Sequence, residues 1–275
     1  MDRRPPRKAG TGRPSARDQK FSRSNSQERK PFDRDRKPFR SDKPRPRPEQ
    51  AQREKFDFPA IPDEVKAEDL HISVRAQLKT LTAENQEAVA RHLQMVALLI
   101  DTDPALAHRH ALAASKKAGR IAVVRETLGV TAYTSGDYAL ALRELLTHRR
   151  ISGSNDQLPL IIDSERGLKR PEKALAQATG VDRSKLAVGV RINLAIALSG
   201  ARLDLGQLEL AKQELEIPEL TPKSVFEQSP LLFRSYAEIL RELGQDGKKW
   251  DELADQAEKA MSETEEETVN LLEEK

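Results

Sequence analysis

The chain has 275 residues and no cysteine, so disulfides and thiolate chemistry are excluded. Its net charge of +3 conceals a strong asymmetry: residues 1–55 carry a net +11, residues 56–250 balance to zero, and residues 251–275 carry a net −8. Such an arrangement reads as a basic arm, a folded middle and an acidic end. No apolar stretch follows the opening charges, as a secretory signal requires, and the longest strongly apolar run is Val96 to Ile100. That run is far below the roughly 20 residues needed to cross a bilayer. A soluble, cytoplasmic protein without membrane contact is expected.

Residues 1–55 contain Arg, Lys, Pro, Ser and Asp, with Phe21, Phe32 and Phe39 as the only large apolar side chains. They cannot bury enough surface to offset roughly 1–2 kcal/mol of backbone entropy per residue, and a disordered tail is expected. Within the tail, Arg29-Lys30-Pro31-Phe32-Asp33-Arg34-Asp35 is followed by Arg36-Lys37-Pro38-Phe39-Arg40-Ser41-Asp42. This near-repeat sets one aromatic ring among several cations. Cations neutralise phosphates and a phenyl ring stacks on an unpaired base. Arg29, Lys30, Phe32, Arg34, Arg36, Lys37, Phe39 and Arg40 are thus candidate RNA contacts, and plain solubilisation is the competing reading.

Phe56, Phe58 and Ile61, with an amphipathic helix near 65–80, suggest an N-terminal capping element over 56–82. From there onward Ala, Leu, Glu, Arg and Val dominate, and Val89, Leu93, Val96 and Ile100 fall at helical spacing. Leu140, Glu144, Leu145 and His148 do so on a more mixed face. Helix starts are expected after Thr82, at Asp103-Pro104, at Ser229-Pro230, and at Ser262 with Glu265 in capping-box spacing. Breaks fall at Gly119, Gly136, Gly153, Gly180, Gly206 and Gly244. The body is expected to be all-α.

Leu128-Gly129, Ala132-Tyr133, Gly136-Asp137-Tyr138, Ala141-Leu142 and Leu145 form the best local unit, within 122–153. Gly129 and Ala141 are small enough for two helices to approach closely, Gly136 makes the turn, and Tyr138 and Leu145 fill the space alongside. Ala107, Ala141, Ala174 and Ala211 then recur at spacings of 34, 33 and 37. This pattern resembles the tetratricopeptide repeat, whose period is about 34 residues. The overall layout is similar to small uncharacterised actinobacterial members with a basic N-terminal tail.

The resemblance implies an α-solenoid of antiparallel helix pairs over 83–260, and the residues of 261–275 read as an acidic C-terminal helix or tail. It also implies a concave groove that takes a protein or peptide. Its first-helix positions here are Val123, Glu126, Thr127, Val130 and Tyr133, with Asn193 and Ile196 in a later unit. They lack the Lys and Asn clamp of members that grip a C-terminal carboxylate.

No catalytic, metal or cofactor motif stands out. His108 and His110 are two apart and point in different directions on a helix, and no His-Glu-x-x-His run or phosphate-cradling loop occurs. The expected role is a non-enzymatic adaptor with the tail as tether. An RNA- or ribosome-associated protein, in which the tail dominates, is the alternative.

Overall fold

The computed structural model describes the backbone of residues 56–273 and the side chains of 56–262. The basic tail and its candidate RNA contacts lie outside the described residues. Every regular element among the described residues is helical: α1 Ile72–Leu78, α2 Ala83–Leu99, α3 Pro104–Ala118, α4 Ala122–Thr134, α5 Tyr138–Ser152, α6 Leu158–Gly167, α7 Pro171–Gln177, α8 Val188–Leu203, α9 Leu208–Leu215, α10 Ser229–Glu242 and α11 Lys248–Glu273, besides two short 3₁₀ turns. The fold is all-α. None of the helices is long and apolar enough to cross a membrane among the described residues.

Helices from α2 onward pack as consecutive pairs, α2 on α3, α4 on α5, α6 on α7, α8 on α9 and α10 on α11. Each pair also touches the next, through its second helix and through contacts of α2 with α4, α4 with α6, α6 with α8 and α8 with α10. The expected helix near 65–80 is shorter, a 3₁₀ turn followed by α1.

One turn recurs between paired helices. At Gly136 the backbone N–H bonds to the Tyr133 carbonyl and the Asp137 N–H to the Ala132 carbonyl, both at 2.9 Å. Equivalent bonds form at Lys169 and Arg170, at Gly206 and Gln207, and at Gly244 and Gln245. This double closure satisfies helix-end carbonyls and needs a left-handed residue at its centre. Gly136, Gly206 and Gly244 adopt φ of 70–76°, and Lys169 holds φ 60° in the same role. Ala141, Ala174 and Ala211 each follow five residues after that centre, and all three are fully buried along with Ala107.

Why helices start and stop where they do follows from local chemistry. Asp103 and Asp137 each accept the N–H of the third residue on, Leu106 and Leu140, at 3.0 Å. Thr82 precedes α2 but makes no side-chain capping bond. Ser229 is already helical; its hydroxyl instead takes the Phe226 N–H at 2.9 Å. The expected start at Ser262 is overturned: α11 runs through it without a break, because nothing there interrupts a good helix-forming sequence.

The mixed face of α5 has a physical explanation. Glu144 is 2% exposed and holds both Arg125 of α4 and Arg143. Removing one partner of such a pair leaves a charge stranded, although Arg125 retains some access to water. Glu144→Ala should therefore cost about 2 kcal/mol, measured as a lower urea midpoint with unchanged slope.

Candidate functional site

The last turns of α4, α6 and α8 meet at a polar cavity of about 310 Å³ lined by Tyr133, Tyr138, Asp163, Arg166, Lys169 and Asp204. Tyr133 precedes its left-handed turn residue by three, and Arg166 does the same, so the two occupy one position in successive pairs. Asp163 sits nearly one helical turn before Arg166, and Asp204 directly follows α8.

Arg166 is the hub. Its Nη1 donates to Asp163 Oδ1 at 2.8 Å and its Nε to Asp204 Oδ2 at 2.9 Å. The Tyr133 and Tyr138 rings meet edge to face at 5.8 Å. Two helical glycines make room for this. A Cβ on Gly200 would run into the Arg166 guanidinium, and one on Gly167 into the Tyr138 ring. Gly200 stands inside α8, where a glycine costs about 1 kcal/mol relative to alanine, so its close seating is obtained against local propensity.

Burial pushes the Asp163 carboxyl above the usual carboxylate range, against the opposing pull of Arg166. Burial also raises the Tyr133 phenol, helped by the neighbouring Asp163. For Arg166 burial acts downward, but hydrogen bonds to Asp204 and Asp163 outweigh it and the guanidinium is held more firmly protonated. Lys169 is exposed, and no carboxylate among the described residues pairs with it. It is also the only residue other than glycine with positive φ among those described, a strained conformation worth of order 1 kcal/mol or more. Two carboxylates and two cations cancel, leaving a cavity that offers both donors and acceptors. Such a lining suits a polar ligand that also carries both, for which a peptide main chain is the simplest example.

Of the expected groove residues, Tyr133 alone lines this cavity. Val123 is 8% exposed and packs into the cluster formed with α1 and α2. Glu126 accepts from Gln157 Nε2 at 2.8 Å and faces His148, while Thr127 donates its hydroxyl to the Val123 carbonyl at 2.9 Å. Val130 packs with Leu145 and Ile161. Ile196 leans on the cluster around Leu232, and Asn193 is half-buried. Among the repeat-defining positions, Leu128 is buried, and Gly129 lies against Leu145, where a Cβ would sit 2.6 Å from Cδ2. Asp163, Arg166, Lys169 and Asp204 were not expected. Their signal was the turn register: Lys169-Arg170 read as the counterpart of Gly136-Asp137.

No family model and no curated protein matches this chain.

A second buried polar cluster joins α2 to α3. His92 Nδ1 lies 2.9 Å from His110 Nδ1, so one ring donates and the other accepts. Burial, then His110, Lys117 and Arg91, hold His92 down to about 4. Burial, with Arg109, also lowers His110. His108 instead bonds Thr131 Oγ1 at 3.0 Å and is lowered by burial against the pull of Asp137. No group of three metal-ligating side chains occurs among the described residues.

Proposed function

We propose that the chain is a non-enzymatic scaffold: a tetratricopeptide-like α-solenoid of antiparallel helix pairs whose first helices face a protein or peptide partner. The N-terminal basic residues act as an electrostatic tether. The observation that carries this reading is the polar cavity at the ends of α4, α6 and α8. Three successive first helices converge there, and the chain accepts a helix-weakening glycine, Gly200, and one strained lysine to build it. Strain and glycine seats gathered in one place mark sites kept for something other than stability. Consecutive packing of helix pairs supports the solenoid part, since among the described residues each pair leans mainly on its near neighbours.

Site-specific photocrosslinking in cells tests the proposal. A crosslinking residue at Lys169 should trap a partner protein, whereas one at Arg150, exposed on α5, should not. Asp163→Ala combined with Arg166→Ala should abolish the adduct while helical circular dichroism is retained. Equal trapping from both positions would remove the groove from consideration.

The net +11 of residues 1–55 favours a second reading, an RNA- or ribosome-associated protein. In that case the adduct vanishes on nuclease treatment or on deleting the tail, and the paired Asp163 and Arg166 substitutions leave it intact.

A further inference from the structure

Residues 56–65 lie across the first helix pair, and several basic side chains converge on them. Lys116 Nζ sits 5.7 Å from the centre of the Phe56 ring, and Lys117 Nζ 5.5 Å from that of Phe58. Arg109 faces Asp57 at 3.6 Å. The tripeptide Phe56-Asp57-Phe58 thus meets three cations of α3, one per side chain. The two phenyl rings touch edge to face at 5.0 Å, and Phe58 also rests 6.2 Å from the buried imidazole of His92. Further along, Arg91 donates to the carbonyls of Pro62 and Val65 at 2.9 and 2.8 Å.

How the tripeptide is held differs from how the helices are held. Among the described residues no backbone hydrogen bond ties 56–61 to a helix; side chains alone keep it in place. Phe58 is 44% exposed, and the Arg109–Asp57 pair is mostly in water, where such a pair contributes little. The seat, by contrast, is built into the fold. Its three cations stand on α3, which packs on α2 and α4, and the ring beside Phe58 is that of His92, itself bonded to His110. A seat built from helices, holding an occupant through side chains alone with Asp57 and Phe58 exposed, has the properties of a recognition surface filled by its own chain. Rings beneath ammonium groups and a carboxylate beside a guanidinium define the chemistry it selects.

We infer that this face of α2 and α3 is a receptor for a short aromatic–acidic–aromatic peptide of another protein, and that Phe56-Asp57-Phe58 fills it as a built-in competitor. A tethered occupant acts at an effective concentration in the millimolar range, so an incoming peptide of modest affinity is shut out until the tether yields. The receptor lies on a different surface from the polar cavity and stands whether or not that cavity binds a peptide.

The test is fluorescence anisotropy with a labelled, end-capped peptide of the sequence of residues 54–63, titrated into the full-length chain. The unaltered chain is compared with a Phe56→Ala/Phe58→Ala variant. The peptide should bind the variant at least about tenfold more tightly, because the competitor is gone. Adding Lys116→Glu and Lys117→Glu to that variant should remove the binding. Equal affinity for both chains overturns the inference, as does no binding to a variant whose helical circular dichroism is unchanged. Should the double variant lose its helicity, Asp57→Arg, which repels Arg109, replaces it, and the same two readings decide.

Discussion

Gly129→Val should be among the most damaging single substitutions in the protein, costing about 3 kcal/mol or more. Gly129 is buried inside α4 where that helix crosses α5, and even a methyl group there would stand 2.6 Å from Leu145 Cδ2 and 3.2 Å from the Leu145 backbone nitrogen. The contact with the backbone nitrogen asks for a shift of only a few tenths of an ångström. The side-chain collision cannot be relieved so easily, so α4 and α5 must separate. Overpacking of a tight core generally costs about 1–3 kcal/mol, and separating two helices belongs at or beyond the upper end. Leu145 is itself fully buried, which leaves it nowhere to retreat. Urea denaturation should show the loss directly. A double-mutant cycle with Leu145→Ala should recover part of it, because the shorter side chain vacates the space that valine needs. Additive losses would place the strain elsewhere than at this crossing.

Stability should also fall steeply in mild acid. His92 titrates near 6.5 in an unfolded chain and is held down to about 4 in the folded one, chiefly by burial, with His110, Lys117 and Arg91 adding to it. Between those values the unfolded chain binds the proton more readily than the folded one does. The stability contributed by the neutral ring is therefore complete above pH 6.5 and is lost progressively as the pH falls to about 4. That interval corresponds to about 3 kcal/mol. His110 is lowered as well and steepens the slope. The geometry points the same way: with 2.9 Å between the two Nδ1 atoms, charging both rings turns one N–H against another. His92→Leu combined with His110→Leu should flatten the profile between pH 4 and 6.5 at modest cost near neutrality, since replacing both partners by apolar groups leaves no polar atom stranded. A profile as steep as that of the unaltered chain would show that other groups cause the acid loss.

Much of the helical pattern could be read from the residues themselves. Gly136, Gly206 and Gly244 mark turns because a left-handed residue is needed there, and the buried alanines keep their distance from those turns through most of the chain. The third pair was harder to see. Its turn centre is Lys169, a residue with no such conformational signature, so the match of α6 to α4 rests on the spacing of Ala141 and Ala174 alone. Once Lys169 is set level with Gly136, Arg166 falls level with Tyr133 and Asp163 with Val130. The cavity was hidden for that reason. The histidine pair was hidden for another: His92 and His110 belong to different helices, and only the packing of α2 on α3 brings them together. His108 and His110 meet different partners, Thr131 and His92, as two-residue spacing on a helix requires, yet that spacing carries no information about a partner across the interface. Glu126 and Val123 illustrate the converse, since a first-helix position can face a neighbouring helix as readily as an open groove.

Packing mainly on near neighbours, as the described helices do, has a consequence for how such a chain can change length. Among the described residues, excising or duplicating one helix pair disturbs mainly the two junctions beside it. Growth by whole helix pairs is thus structurally cheap, and a change of length requires no new core.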